Sequence, residues 1–361
     1  MLYHFILPLK EYLSFLRLFQ YITFRSAYAA LTALLLVLIL GNLAIRRLAA
    51  LNLGEEIRAL GPETHKRKAG TPTMGGIIII GSVLASIILW GNFKSLYLMI
   101  LISATVLLGA LGFVDDYIKS VLKKKEGIPA RLKLLFQILI ALAAVLIIYY
   151  FPSNKEEVSN FYVPFINEEL ADMRIFWIIF AVVVIVAATN AVNLTDGLDG
   201  LAIGSVVTVG VSLGIMAYLT GHNRIAAYLR IPYIPEAAEI TVYLAALVGA
   251  SLGFLWFNSN PAAVFMGDTG SLALGGIIGI VAVMIKKEIF LFIVGGVFVM
   301  EVMSVIIQVA SFKLRGRRVF KMSPLHHHFE LSGWPEQKVV VRMWILGIIL
   351  AILGLSSLKI L

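Results

Sequence analysis

Acidic side chains stand beside glycines and amides at three places in a chain that is otherwise strongly apolar. Asp115 and Asp116 end one apolar run, the string 190–200 (NAVNLTDGLDG) ends a second, and the string 258–271 (NSNPAAVFMGDTGS) separates two more. Acidic residues at the end of a membrane helix are costly unless they bind something. Two adjacent carboxylates also repel each other unless a cation offsets them. The pattern therefore favours a divalent metal or a proton-transfer site.

Basic, hydroxyl and imidazole groups accompany these acids. Segment 70–76 (GTPTMGG) follows a basic loop, so that Lys68 and Thr73 form a candidate phosphate clamp at a helix N-terminus. Lys119 and Lys133 flank the aspartate pair, and residues 323–330 (SPLHHHFE) follow a run of Lys and Arg. Simpler interpretations stay open: the cations can reflect topology alone, and Asp268 can merely cap the next helix.

The composition identifies an integral membrane protein. Of 361 residues, 60% are hydrophobic and 14% charged, and the mean hydropathy is +0.93. A membrane-spanning helix needs about 20 mainly apolar residues. Ten runs fit: 24–45, 73–91, 95–114, 132–151, 174–192, 200–219, 240–257, 271–285, 289–312 and 342–360. We expect an all-α, multi-pass fold forming one domain over 1–361, with residues 1–23 as an interfacial helix and no disulfides, since cysteine is absent.

Charge predicts the orientation of these spans. Most of the 30 Lys and Arg residues fall in alternate loops, which the positive-inside rule assigns to the cytoplasm. Both termini are then outside. Counting spans also places five acids from three loops on the cytoplasmic face, namely Asp115, Asp116, Asp196, Asp199 and Asp268. Helix capping alone rarely produces such convergence, so a cytoplasmic site is expected there.

The ninth run carries polar residues within the membrane. Glu301, Ser304 and Gln308 follow the spacing of one helical face. An intramembrane Glu is expensive and is expected to face other helices or a polar cavity. Its role, structural or functional, stays open at this stage.

Together these strings resemble the polyprenyl-phosphate N-acetylhexosamine-1-phosphate transferases. The matching elements are residues 71–76, the pair Asp115–Asp116 with Tyr117, and the strings 190–200, 265–271 and 324–329. The Asp-Asp and Asn-Leu-Thr-Asp-Gly elements are typical of the superfamily. The Pro-Leu-His-His-His stretch, with ten spans, is typical of its muramoyl-pentapeptide branch. The resemblance covers essentially the whole chain.

The resemblance implies a reaction in the bacterial cytoplasmic (inner) membrane. UDP-N-acetylmuramoyl-pentapeptide and undecaprenyl phosphate would give undecaprenyl-diphospho-N-acetylmuramoyl-pentapeptide (lipid I) and UMP, with Mg2+ as cofactor and a homodimer as the usual assembly. Asp115, Asp116 and Asp268 would be catalytic. Asp268 would bind the metal, and Asp115 and Asp116 would orient the lipid phosphate or complete the metal shell, with Asp115 the favoured base. The expected substrate contacts are Lys68, Thr73, Lys119, Lys133, Asn193, Asp196, Asp199, Asn258, Phe265, Gln308, His326, His327 and His328.

Two alternatives remain at the level of sequence. One is a sister transferase that uses UDP-N-acetylglucosamine, against which the His triplet argues. The other is a secondary transporter for an anionic metabolite. A transporter is expected to show charged or broken helices near the bilayer midplane and an inverted repeat, whereas the acids here cluster at one face. No nucleic-acid partner is expected.

Overall fold

The structure is a computed structural model that describes residues 3, 14–50, 70–124, 126–166 and 169–358. Thirteen α-helices occur in these ranges. They are α1 (Ile22–Ala50), α2 (Gly76–Trp90), α3 (Leu96–Ser120), α4 (Ala130–Tyr150), α5 (Phe176–Thr195), α6 (Leu201–Thr220), α7 (Asn223–Leu229), α8 (Ala237–Asn258), α9 (Gly267–Met284), α10 (Glu288–Val294), α11 (Gly296–Arg315), α12 (Leu325–Glu330) and α13 (Glu336–Ser356). Two short strands, β1 (Asn160–Phe161) and β2 (Ala171–Asp172), pair antiparallel between α4 and α5.

The predicted all-α, multi-pass membrane class is confirmed. Nine helices of the described ranges are long and apolar enough to cross a membrane, and each of the ten predicted runs coincides with helical structure. The second run forms a helix of only 15 residues, α2. The ninth run is divided at Gly295 into α10 and α11. Consecutive glycines at 295–296 weaken helix continuity there, because glycine has a low helix propensity.

Part of the predicted interfacial helix falls within the described residues. Ser14–Gln20 forms a 3-10 helix instead of an α-helix, and Phe19 stacks on Trp90 with ring centroids 5.5 Å apart. Residues 1–2 and 4–13 of this segment lie outside the described residues.

Helix α9 lies at the centre of the bundle and packs against α3, α5 and α2. Its glycines allow this, because a Cβ at Gly275 would lie 2.6 Å from the carbonyl oxygen of Ala188 on α5. Small residues permit close backbone approach between membrane helices, where van der Waals packing replaces hydrophobic exclusion of water. The position of Asp268 is therefore set by the start of α9, the most buried of the nine candidate membrane-spanning helices in the described ranges.

Large apolar side chains cover the outside of the bundle. On α1, α4 and α13 they include Leu31, Ile39, Leu135, Ile348 and Ile352, all of them exposed. Contiguous exposed apolar surface of this extent indicates contact with lipid. Antiparallel succession of the helices brings the ends of α3, α5 and α8 to the same end of the bundle as the start of α9.

Candidate active site

Asp268 is the centre of the polar cluster at this end of the bundle. Gly267 precedes it with a φ of +74°, a left-handed conformation that suits glycine, and a Cβ there would lie 2.6 Å from Asp116 Oδ2. Asp268 Oδ2 accepts hydrogen bonds from Lys119 Nζ (2.8 Å) and Lys133 Nζ (2.6 Å). Asn193 Nδ2 donates to Oδ1 at 2.6 Å. Helices α3, α4, α5 and α9 thus meet at one carboxylate.

Asp115 shares the same two lysines. Lys119 Nζ lies 2.6 Å and Lys133 Nζ 3.3 Å from Asp115 Oδ2, and the backbone N–H of Ile128 donates to Oδ1 at 2.6 Å. Its side chain is almost completely buried. The two lysines are therefore clamped between two carboxylates on different helices, which orients both ammonium groups toward the same space.

Asp116 caps helix α9 from outside that helix. Its carboxylate accepts the backbone N–H of Asp268 (3.1 Å) and of Thr269 (2.9 Å), and the Thr269 hydroxyl at 2.7 Å. A carboxylate is favourable at a helix N-terminus because it satisfies orphan N–H groups and offsets the helix dipole. The interpretation of Asp268 as a simple N-cap is therefore wrong. Asp116 supplies that cap, which leaves the Asp268 carboxylate facing the lysines.

The Thr-Pro-Thr-Met-Gly-Gly segment is hydrogen-bonded to the Phe-Met-Gly-Asp segment. Phe265 N–H donates to Pro72 O (2.8 Å), Gly75 N–H to Phe265 O (2.9 Å) and Gly76 N–H to Met266 O (2.8 Å). These bonds hold Thr73 beside Gly267 at the start of α9. The Phe265 side chain is half-buried. Lys68 lies outside the described residues.

The loop between α5 and α6 forms the second part of the site and is fixed on several sides. Asp199 Oδ2 accepts Asn260 Nδ2 (3.1 Å) and the backbone N–H of Ala262 (3.0 Å). Asn258 accepts the N–H of Gly200 (3.1 Å) and donates to Val264 O (2.8 Å). Asp199 and Asn258 therefore connect this loop to the loop that precedes α9, while Asp196 is half-exposed.

The His-containing segment forms the third part. His326 is buried, and its Nδ1 lies 3.1 Å from Glu301 Oε2 on α11. Its Nε2 faces Gly197, where a Cβ would lie 2.4 Å away. His327 Nδ1 lies 3.0 Å from Glu330 Oε2, and the N–H of Lys321 donates to His328 Nδ1 at 3.1 Å. Glu301, whose role the sequence left open, thus orients the first histidine.

Gln308 is bonded to the chain that leads from α11 to α12. Its Oε1 accepts the N–H groups of Val319 (3.0 Å) and Phe320 (2.9 Å), and its Nε2 donates to Phe320 O at 3.0 Å. The structure thus places Gln308 and His328 around one short segment, 319–321. Asp115, Asp116, Lys119, Lys133, Asn193 and Asp268 form a separate cluster, with Thr73 beside it.

Three further residues of the site were not among the predicted ones. Thr269 binds Asp116, the hydroxyl of Ser271 accepts Asn193 Nδ2 at 2.8 Å, and Glu336 Oε1 accepts the N–H of Asp199 at 2.9 Å. Thr269 and Ser271 directly follow Asp268 in a polar string, so their closeness to Asp268 in the sequence could have predicted that they belong to the site. Glu336 begins a helix 137 residues after Asp199 in the sequence, and no local pattern marks it.

The charges of the cluster indicate what it can hold. The cluster holds three carboxylates and two ammonium groups, so one negative charge is in excess when all are ionised: Asp115 and Asp268 bind the lysines, and Asp116 binds the start of α9. Within the described ranges, no three His, Asp or Glu side chains form a preformed metal site. Mg2+ is commonly held by one or two carboxylates together with substrate phosphates and water. The oxygen-only donors here fit that ion, provided that a phosphorylated substrate completes its coordination.

The fold and this cluster define a polytopic membrane protein equipped for phosphate-containing substrates, and comparison with known proteins agrees. Residues 98–286 match the model of glycosyl transferase family 4, and residues 68–80 match phospho-N-acetylmuramoyl-pentapeptide-transferase signature 1.

Full-length relatives define the family more closely. The chain is 51% identical over 361 residues to the phospho-N-acetylmuramoyl-pentapeptide-transferase of Desulforapulum autotrophicum, with all of both chains covered. It is 48% identical to that of Desulfatibacillum aliphaticivorans and 49% identical to that of Thermodesulfovibrio yellowstonii, with 99% of each chain covered. The chain belongs to the phospho-N-acetylmuramoyl-pentapeptide-transferase family.

Proposed function

We propose that this protein transfers phospho-N-acetylmuramoyl-pentapeptide from its UDP derivative to undecaprenyl phosphate, which gives lipid I and UMP. The observation that carries the proposal is the cluster of Asp115, Asp116 and Asp268 with Lys119 and Lys133. It occurs at one end of the bundle in a chain that matches transferases of that name from end to end. The reaction is a step of peptidoglycan biosynthesis.

Phosphoryl transfer between two anionic substrates depends mainly on positioning and charge compensation. The lipid phosphate and the nucleotide diphosphate repel each other, and the enzyme must offset that repulsion. Lys119 and Lys133 are held in place by Asp115 and Asp268 before any substrate arrives. When phosphates enter, the same ammonium groups can donate to phosphate oxygens, because carboxylate and phosphate oxygens both accept charge-assisted hydrogen bonds from lysine.

Asp268 is the proposed ligand of Mg2+, and Asp115 or Asp116 is proposed as a second protein ligand of the ion. A bound magnesium ion would neutralise charge on the diphosphate and on the leaving UMP. Asn193, which contacts Asp268 directly, would hold the Asp268 carboxylate in place. Asp116 would preserve the geometry by fixing the first turn of α9, as its contacts with Thr269 indicate.

Asp115 is proposed to orient the lysines. Its carboxylate already accepts from two ammonium groups and one backbone N–H, contacts that suit an orienting group better than a proton acceptor. The attacking oxygen of a phosphate monoester also needs little help, since its second pKa is about 6. The role of general base, which the sequence resemblance favours for Asp115, is therefore less favoured than the role of orienting the lysines.

The other predicted residues have proposed substrate roles that follow their positions. Thr73 would hold phosphate near the start of α9, and Phe265 would stack on uracil. Lys68, which lies outside the described residues, is proposed as a phosphate contact from the sequence pattern alone. Asp196 would contact the nucleotide-sugar from the α5–α6 loop, which Asp199 and Asn258 support. The proposed contacts to phosphates or to the sugar come from Gln308, His326, His327 and His328.

We place this reaction at the cytoplasmic face of the bacterial inner membrane, in a homodimer, with the undecaprenyl chain lying against the exposed apolar surface of the helices. Purified protein in detergent tests the function directly, with UMP release measured from UDP-N-acetylmuramoyl-pentapeptide and undecaprenyl phosphate, with and without Mg2+. Release that requires both substrates and the metal is expected. UDP-N-acetylglucosamine supplied instead should give no lipid product. A lipid product from it, or no UMP under any condition, would refute the proposal.

A further inference from the structure

A small cavity with polar and apolar lining lies at the end of the bundle opposite the aspartate cluster. Its volume is about 40 Å3, and it lies between the loop after β1, the chain that follows α7, the end of α9 and the end of α13. Helix α9 has 18 residues from Gly267 to Met284, which corresponds to a rise of about 27 Å. The cavity is therefore separated from Asp268 by roughly the thickness of a bilayer core.

The lining of this cavity is basic and apolar at once. Three cationic residues, Arg230, Lys286 and Lys287, share it with apolar and aromatic side chains that include Phe165, Phe290 and Leu358. Among the residues described for this region, no carboxylate lines it. An apolar wall with a few convergent charged groups is a common character of ligand sites, and here the charges select an anion.

Lys286 already has partners and holds the structure together. Its Nζ donates to Val158 O at 3.0 Å, lies 3.7 Å from Glu288 Oε1 and stands 4.1 Å above the ring centroid of Trp177. These contacts fasten the loop before β1 to the end of α9. Lys286 is therefore a structural residue and serves as a contrast to its neighbour.

Lys287 and Arg230 make no ion pair within the described residues. Lys287 is half-buried, with its Nζ 5.9 Å from the ring centroid of Tyr162. Burial lowers the pKa of Lys287 to about 8, although the charges of Glu288 and Glu157 act in the opposite direction. Arg230 ends α7 and is exposed. An anion in the cavity would supply the missing counter-charge to both groups.

We propose that this cavity binds the phosphate headgroup of an anionic membrane lipid, with Lys287 and Arg230 on the phosphate. A lipid fits better than a soluble anion because most of the lining is apolar and the cavity lies where helix ends meet the headgroup region. Ile352 and Leu353, near the end of α13, are exposed and continue the apolar surface from Leu358 into the bilayer. The acyl chains would lie along that surface.

Binding of phosphatidylglycerol to the purified full-length protein tests the proposal, measured by native mass spectrometry in detergent. We expect Lys287→Gln and Arg230→Gln each to weaken the tightest binding event about tenfold, as expected for loss of a hydrogen bond from a charged donor. Lys287→Arg should retain it. Arg224→Gln is the matched control, because Arg224 is an exposed cation on α7 outside the cavity lining. All variants should keep the wild-type thermal midpoint.

Since lipids coat the whole bundle, the position must be mapped as well. A photoactivatable phosphatidylglycerol should label peptides that contain residues 286–292 or 355–358, and Lys287→Gln should reduce that labelling. Unchanged affinity in both variants, or labelling confined to other helices, would overturn the proposal. Displacement of the lipid by an equimolar amount of inorganic phosphate would overturn its lipid part and indicate a free-phosphate site. None of these results depends on the catalytic reaction.

Discussion

Lys133 on α4 donates to Asp268 on α9 at 2.6 Å, across 135 residues of sequence. The same ammonium group lies 3.3 Å from Asp115 on α3. One lysine therefore joins three helices at the point where the chain must handle phosphates. Its removal would leave Lys119 as the one ammonium group between the two carboxylates, so the site and the local packing depend on the same contact.

Asp268→Asn should abolish turnover without unfolding the protein. The amide retains the volume of the side chain but loses the charge that Lys119, Lys133 and the metal require, so a fall in kcat on the order of 10^2–10^3-fold or more is expected. UMP release measures it, and the thermal midpoint in detergent reports the fold. Glu126→Gln, an exposed acid near the same end of the bundle, is the control and should behave as wild type. Near-normal activity of Asp268→Asn would disprove the metal assignment.

Lys133→Gln should lower kcat and at the same time reduce the Mg2+ concentration needed for half-maximal rate. The ammonium group competes with a metal for the Asp268 carboxylate, and its loss raises the local negative charge. A titration of UMP release with Mg2+ separates the two effects. Lys124→Gln, which removes an exposed cation of the α3–α4 loop, should change neither. If the metal requirement of Lys133→Gln rises, the proposed competition is wrong.

Gly76→Ala should destabilise the protein and inactivate it, whereas Gly81→Ala on the same helix should do neither. A Cβ at Gly76 would lie 2.1 Å from the backbone nitrogen of Gly270, and a Cβ at Gly81 meets nothing within 4 Å. The first methyl group would separate α2 from α9 beside the site, at a cost of about 1–3 kcal/mol. Thermal midpoints of the two variants in one detergent make the comparison. Equal midpoints would show that α2 and α9 do not pack this closely.

Arg25→Met should be more destabilising than the double substitution Arg25→Met with Glu239→Leu. Arg25 Nη1 and Nη2 donate to the two carboxylate oxygens of Glu239 at 2.9 and 2.5 Å, and both side chains are buried. Removing one partner leaves a buried charge unpaired, at a cost of about 3–5 kcal/mol, whereas apolar replacement of both is far less costly. Thermal unfolding in detergent ranks the variants. A double variant less stable than Arg25→Met would contradict this account.

Gly197→Ala should raise the KM for the nucleotide-sugar about tenfold, and the effect should shrink in a His326→Ala background. The new methyl group would meet His326 Nε2 at 2.4 Å and displace the loop that carries Asp196 and Asp199. A double-mutant cycle in KM measures this coupling. Gly214→Ala on α6, where the nearest atom to a Cβ is 3.8 Å away, is the control. Additive effects of the two substitutions would show that the contact does not position the loop.

Much of the site could be predicted from local sequence. The Asp115–Asp116 pair and the string 258–271 identified the chemistry because charged groups next to apolar runs are costly and therefore informative. Counting spans correctly predicted that these acids share one end of the bundle. Asp268, Asn193 and the two lysines do converge there.

The sequence by itself determined the all-α membrane class, the ten helical runs and the identity of the acids, since hydropathy and charge are local properties of the chain. Only the tertiary structure decided the role of each acidic residue. Asp116 caps α9, so that the Asp268 carboxylate is available to bind the two lysines, and Glu301 orients His326. It also revealed Glu336 as the acceptor for Asp199 and brought Lys287 and Arg230 to one cavity. These relationships depend on how helices distant in sequence pack, and no local pattern encodes such packing.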